Sequence, residues 1–392
     1  MTTEAGALPD PPKVRSLTTS VATLFFVNGM VYSNWLPRIP EVRDKLGLTD
    51  AGLGASLLGG GLGGLIGSFV TAKLIDRFGT KRVLTISATL ISFGLPLLAR
   101  VNKPILLLLA LSFIGFCDVL NDMSMNAQAV MAQARHSRPI LNRMHGAWSL
   151  GSVTGAGIGS IAAAVKLSLT AHFTMIGLLL LAIVHVARRK LLTVDDPSRP
   201  SDTDIETPAR RRISPAIVAL GLTAIGVAAV EATPNDWSAV MMKDVLGAGR
   251  IAGAGTFAFA TAMLIARLSG DYVMERIGSK RMLNGAIALN AIGVLIVVAA
   301  RSTPLGILGF AVWGTGASVL FPQLYGLAAT QKGLSAASGL GAMGVGQRLG
   351  FLLCPVLVGA VSEALSLRLA FVGIVGAAIA IILVARQRLA AS

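Results

Sequence analysis

Charge is scarce in this chain of 392 residues. Only 14% of them are Asp, Glu, Lys or Arg, while 54% are hydrophobic; a soluble domain carries about 25% charged residues. With a mean hydropathy of +0.72, the chain cannot cover a water-facing surface, and its solvent is mostly lipid. Cysteine is scarce too. Cys117 and Cys354 both sit in apolar stretches, which speaks against a disulfide framework and for small buried hydrophobes. Aromatic residues make up 5%, few for a cavity that takes large lipophilic molecules. No His, Cys or acid cluster has metal-ligand spacing, and no nucleophile–base pair stands out. Every GxGxxG-like fragment falls inside an apolar stretch, without a βαβ context. An enzyme is therefore not expected, nor is a cofactor or a metal. The net charge of +15 comes from bases scattered over short loops rather than one face, so nucleic acid is not an expected partner.

What the chain has is long apolar runs. A helix needs about 20 mostly apolar residues to cross the hydrocarbon. Candidates lie near 17–36, 49–72, 83–100, 104–130, 142–165, 169–187, 214–234, 250–268, 282–300, 304–329, 337–361 and 367–387. The expected fold is thus an all-α membrane protein with twelve transmembrane helices. The first run has no small-residue cleavage site and reads as a retained span. With the amino terminus placed in the cytoplasm, cytoplasmic segments hold 22 Lys or Arg and external loops 10, a bias that favours both termini inside. Residues 188–213 carry three prolines and no apolar period, and read as a cytoplasmic linker. The expected division is a tail at 1–16, a six-helix bundle at 17–187, the linker, a second bundle at 214–387 and a tail at 388–392.

The two bundles look related. Asp76-Arg77-Phe78-Gly79-Thr80-Lys81-Arg82 returns as Glu275-Arg276-Ile277-Gly278-Ser279-Lys280-Arg281. Lys45-Leu46-Gly47 resembles Val245-Leu246-Gly247, Trp35 matches Trp237, and Leu150-Gly151 matches Leu349-Gly350. Two membrane-embedded repeats that both start inside are parallel repeats about an axis along the membrane normal, a plan used for alternating access. Gly59, Gly63 and Gly67, and Gly151, Gly155 and Gly159, recur every four residues, as close-packing stripes do.

This pattern resembles the major facilitator superfamily over residues 17–387. The superfamily's loop motif, roughly Gly-x-Leu-Ala-Asp-Arg-x-Gly-Arg-Lys, is here Ala72-Lys73-Leu74-Ile75-Asp76-Arg77-Phe78-Gly79-Thr80-Lys81, with Ala72 in place of the leading Gly. Asp122-Met123-Ser124-Met125-Asn126-Ala127-Gln128 and His145-Gly146-Ala147-Trp148-Ser149-Leu150-Gly151 are similar to a bacterial branch close to the fucose permeases, often named as sugar transporters. The resemblance implies that spans 1, 4, 7 and 10 line a central cavity, and that the protein resides in a bacterial inner membrane.

Candidate site residues follow from charge inside the spans. Asp118, Asp122 and Asn126 stand at i, i+4 and i+8 and share one helical face, with Asn121 beside them. A carboxylate at the bilayer centre costs about 2.5–3.5 kcal/mol on insertion scales. Two on one face disfavour double ionisation, so such a pair can hold a proton and release it when access switches. Asp118, Asp122 and Glu231 are the expected proton-coupling groups; a static network tying span 4 to its neighbours is the alternative. Arg348, mid-span between glycines, either binds a hydroxylated or anionic solute or pairs with an acid of the other half. Asn28, Tyr32, Asn121, Asn126, Trp148, Trp313 and Gln323 complete the expected substrate contacts. Trp35 and Tyr325 read as interfacial anchors, His172 and His185 as structural, and His145 as an interfacial or gate residue. Asp76, Arg77, Gly79 and Lys81, with Arg267, Asp271, Glu275 and Arg276, form expected cytoplasmic gates. Arg267 and Asp271 are spaced to pair.

The expected function is proton-coupled secondary transport of a small polar, sugar-like solute by a monomer, with protons, the solute and the bilayer as partners. Efflux of drugs or metabolites is the second reading, and a receptor that has lost transport the third.

Overall fold

Long helices fill the structure, a computed structural model that describes residues 12–135, 140–193 and 214–391. The expected N-terminal tail up to residue 11, the linker from 194 to 213 and the last residue lie outside them. In chain order the helices are α1 (Pro12–Trp35), α2 (Ile39–Lys45), α3 (Asp50–Phe78), α4 (Thr80–Arg100), α5 (Pro104–Gln133), α6 (Leu141–Ala164) and α7 (Leu169–Ala187). They continue with α8 (Pro215–Val240), α9 (Ala254–Ile277), α10 (Ser279–Ala299), α11 (Thr303–Ala317), α12 (Leu320–Thr330), α13 (Ala336–Ala364) and α14 (Leu367–Ala391). Among the described residues, eleven helical stretches are long and apolar enough to cross a membrane. The expected span that falls outside this set is α6, 24 residues long. Its glycines and serines lower its hydropathy, because it turns them toward protein: α6 packs on α1 and α9.

The packing repeats. Contacts α1–α6, α3–α5, α4–α5, α4–α7 and α1–α7 in the first set have counterparts α8–α13, α9–α11, α10–α11, α10–α14 and α8–α14 in the second. The sets meet through α3–α13 and α6–α9, which exchange under the same correspondence. The match reaches single atoms. A Cβ on Gly115 would fall 2.0 Å from the carbonyl oxygen of Gly60, and one on Gly314 would fall 2.2 Å from that of Phe259. The two glycine stripes act as expected: a Cβ on Gly63 would lie 1.8 Å from the Ser112 carbonyl oxygen, and one on Gly151 2.1 Å from that of Phe26. Between lipid-soluble helices, such close approach is a main source of association. The repeated loops also fold alike: Gly79 (φ 78°, ψ 153°) and Gly278 (φ 79°, ψ 154°) take a backbone open chiefly to glycine.

Proline decides two interior features. It removes the N–H that would bond the carbonyl four residues earlier, and in hydrocarbon that carbonyl needs another donor. Pro234 sits inside α8, and the freed Val230 carbonyl accepts the Trp313 indole N–H at 3.1 Å. Pro322 frees the Ser318 carbonyl, which accepts Arg267 Nε at 3.3 Å. The chain breaks there, so the expected tenth span is two helices, α11 and α12.

The Gly79 and Gly278 loops mark one end of the molecule, here the motif end. The described hydrogen bonds and ion pairs that join the two sets all lie toward the opposite, distal end, as in Ser160 Oγ to the Gly253 carbonyl at 2.9 Å. Gly63→Val should force α3 and α5 apart and destabilise the fold by about 3 kcal/mol. Gly60→Ala, whose Cβ meets nothing within 4 Å, should change stability by less than about 0.5 kcal/mol. Thermal unfolding of both variants in detergent, followed by size-exclusion chromatography, checks the contrast.

Candidate functional site

Midway along α1, Asn28 joins three helices. Its Nδ2 donates to Asp118 Oδ1 on α5 at 2.8 Å, and its Oδ1 accepts the Trp148 indole N–H from α6 at 2.8 Å. The two partners fix the amide orientation, since a carboxylate only accepts and an indole only donates. One helical turn on, the Asn126 side chain donates to Asp122 Oδ1 at 3.0 Å, so the expected Asp118–Asp122–Asn126 face exists. One turn along α1 from Asn28, Tyr32 reaches the other set of helices, donating its hydroxyl to Asp236 Oδ1 on α8 at 3.0 Å.

Asp122 and Arg348 are both exposed although each lies mid-helix. They come from opposite sets, yet lie within electrostatic reach of each other. Tyr325 is within electrostatic reach of Asp122, Arg348 and Glu231, and its hydroxyl bonds Gln347 Oε1 at 3.3 Å. Glu231 Oε2 lies 3.8 Å from an Arg267 amine and is otherwise unpartnered. The centre of the molecule thus gathers carboxylates, two guanidiniums, amides and aromatic hydroxyls from both sets of helices. An apolar groove between the motif-end halves of α8 and α13, lined by Ile217, Leu222, Val345 and Leu349 among others, holds none of them.

Several expected residues sit elsewhere. Trp313 is fully buried; besides serving the Val230 carbonyl it stacks on Phe310 and meets Phe371 edge-on, so it packs and does not line the site. Asn121 is fully buried toward Ser87 of α4, on the far side of α5. Gln323 lies at the motif end, where its Oε1 accepts the Ser279 hydroxyl at 2.5 Å. Helical rotation decides the first two, and the Pro322 break the third. Trp35 is 1% exposed and Tyr325 lies within reach of the central charges, so neither is an interfacial anchor. Arg267, expected at a cytoplasmic gate, instead serves the Ser318 carbonyl beside Glu231; the side chain of Asp271, its expected partner, lies outside the described residues.

The other expected gate residues are at the motif end. Asp76, Arg77, Glu275 and Arg276 are exposed, Lys81 is half-buried, and Arg276 rests over the Tyr272 ring at 4.2 Å. His172 is structural, as expected. Buried Arg38 donates to its Nδ1 at 3.1 Å, so His172 Nε2 carries the proton donated to Asn34 Oδ1 at 3.1 Å. His145 is exposed and edge-on to Phe25. The residue that sequence reasoning missed is Asp236. The available signal was an acid within an apolar stretch, in Asn235-Asp236-Trp237, opposite Ser33-Asn34-Trp35 of the first repeat.

Comparison with known proteins agrees with this architecture. An uncharacterized MFS-type transporter of Yersinia pestis is 28% identical over 357 residues, 91% of each chain. The crystal structure of the nucleoside transporter NupG superposes with a TM-score of 0.74 at 15% identity, over 95% of this chain and 98% of that one. A bacterial homologue of the human lysosomal transporter Spinster, in an inward-facing and unoccupied conformation, gives 0.72 at 12% identity, over 97% of each chain. The Major Facilitator Superfamily pattern matches residues 21–331. With that match over most of its length, the chain is an integral membrane transporter rather than an enzyme, and belongs to the Major Facilitator Superfamily.

Proposed function

We propose that this transporter moves a small, polar, hydroxylated solute by alternating access, coupled to protons. One observation carries the reading: Asp122 and Arg348 come from opposite sets of helices, are both exposed at mid-helix, and lie within electrostatic reach of each other. Charge held at that depth is costly unless it has a use. In this reading Asp118, Asp122 and Glu231 carry the coupling proton. Asn28, Tyr32, Asn126, Trp148 and Arg348 contact the solute, joined by Asp236 and Tyr325. Amides, carboxylates and a guanidinium beside an indole suit the hydroxyls and ring face of a sugar or a sugar-bearing compound. The low aromatic content of the chain favours this over efflux of large lipophilic molecules, and the mid-membrane charges favour transport over a receptor role.

The same reading places both termini, the linker at 188–213 and the motif end in the cytoplasm of a bacterial cell, in the inner membrane. It counts α6 as a twelfth crossing that is polar because protein surrounds it. It treats 17–187 and 214–387 as two bundles of one monomer that rock against each other. Gly79 and Gly278 then hold paired loops whose charges (Asp76, Arg77 and Lys81; Glu275 and Arg276) close the cytoplasmic end when the external end opens. The distal end, where the polar contacts between the sets gather, is the external one in this scheme.

A thermal-shift screen of the purified protein against sugars, nucleosides, amino acids and drugs tests the solute class, because a ligand that binds the folded state raises its stability by mass action. The expected hits are sugars or nucleosides; hits confined to lipophilic drugs would contradict it. Asp122→Asn should lower pH-gradient-driven uptake into proteoliposomes about tenfold or more, since one 1.4 kcal/mol contribution is a factor of ten; unchanged uptake at every gradient would remove Asp122 from coupling. Arg348→Ala should weaken solute binding about tenfold, the order of one charge-assisted hydrogen bond. If Arg348 instead pairs with Asp122, the exchange Arg348→Asp with Asp122→Arg should restore the activity that Arg348→Asp alone abolishes.

A further inference from the structure

The distal end of the molecule carries a second repeat, written in charge. Arg43-Asp44-Lys45-Leu46-Gly47 of the first set corresponds to Lys243-Asp244-Val245-Leu246-Gly247 of the second. Each segment ends its helix with a glycine in the left-handed region, Gly47 at φ 61° and Gly247 at φ 60°. The preceding base and acid therefore stand in the last turn in the same way in both sets. Across the interface the pairing is reciprocal. Arg43 meets Asp244 at 2.5 Å, and Lys243 meets Asp44. The base of each set takes the acid of the other, as residues do across a two-fold interface.

From this geometry we propose that the two base–acid pairs form a pseudo-symmetric latch that holds the distal end shut, and that breaking it is the step that admits solute from that side. The latch rests on the alternating-access reading above and adds the device that sets its resting state. Its neighbours support it. Asp50, at the start of α3, accepts from Arg43 at 3.2 Å and from Ser362 of α13 at 2.5 Å. Glu363 of α13 accepts the Ala51 backbone N–H at 2.8 Å, at the positive end of α3. Four segments thus converge on one charged seam.

The chemistry also makes the seam reversible. A buried ion pair is costly to open when it leaves a charge without a partner. Here Arg43 keeps Asp44 at 3.0 Å and Asp50 within its own set. Lys243 and Asp244 are 34% and 35% exposed, so water can take over. Each base–acid dipeptide is neutral overall. The halves can part without stranding net charge on either face, which suits a contact made and broken in every cycle.

Electron–electron distance measurements test this on the full chain in nanodiscs. Spin labels go on exposed Lys103 and Arg301, at the distal ends of the two sets, with Arg82 and Arg281 as the motif-end pair; Cys117 and Cys354 are replaced by alanine. Asp44→Asn and Lys243→Gln should each raise the fraction with the long distal distance about fivefold, the low end of a conformational coupling. The double variant should do no more than either single, because across the interface the two residues act through one bond. Lys243→Gln with Asp244→Asn, which cuts both bridges, should shift the population further. High salt should move the wild type the same way and leave that last variant unmoved, since salt screens the pairs. Unshifted populations in all variants, or additive effects of Asp44→Asn and Lys243→Gln, would overturn the latch while wild-type rocking stands. A wild type fixed at one distal distance, with one motif-end distance, under every pH and solute would overturn the alternating-access reading and the latch with it.

Discussion

Inside hydrocarbon a backbone carbonyl has no water to turn to, and this constraint shapes the interior of the protein. Straight helices meet it by themselves. At two prolines that remove a donor, a side chain from another helix takes its place. Trp313 serves the carbonyl freed by Pro234, and Arg267 serves the one freed by Pro322. Both contacts also set the site. The first ties α11 to α8 and buries a tryptophan that would otherwise suit a sugar ring. The second holds a guanidinium next to Glu231 and permits the break that directs Tyr325 toward the centre.

Close packing is the second constraint. Lipid tails are as apolar as leucine, so helices associate where backbones approach and dispersion contacts are many. The glycine stripes of α3 and α6 bring those helices onto α5 and α1 with carbonyl oxygens where a Cβ would stand. The α1–α6 approach also lets the Trp148 indole reach Asn28, so the stripe and the central hydrogen bonds depend on each other. Duplication spreads the arrangement over both sets of helices. The sets meet through the two crossings α3–α13 and α6–α9, and the described polar contacts between them lie toward one end.

Much of this could be read from the chain. The helix count came within one crossing of the described architecture, and α6 departs because its polarity answers to protein neighbours rather than lipid. The repeat at Asp76 and Glu275 predicted loops of equal shape, and both glycines have the same torsion angles. The Asp118–Asp122–Asn126 face was legible because helical spacing alone aligns it. Which way a lone polar residue turns was not. Asn121 lies on α5 between the residues of that face, yet points toward α4; its neighbour Asp122 is exposed and within electrostatic reach of Arg348. Arg267 was expected to pair with Asp271 at the membrane edge, but its described contacts are the Ser318 carbonyl and Glu231. Asp236 was overlooked because a single acid has no pattern.

The sequence by itself determined the membrane setting, the helices, their duplication and the family, since these follow from hydropathy, periodicity and a repeated motif, which are local or simply additive along the chain. Only the tertiary structure decided which polar groups meet. Asn28 between Asp118 and Trp148, Tyr32 on Asp236, and Arg43 and Lys243 exchanging acids with the opposite set all join residues far apart in sequence. Such contacts depend on the rotation of each helix about its own axis and on how deep it sits, and both are fixed by the packing of every neighbour at once.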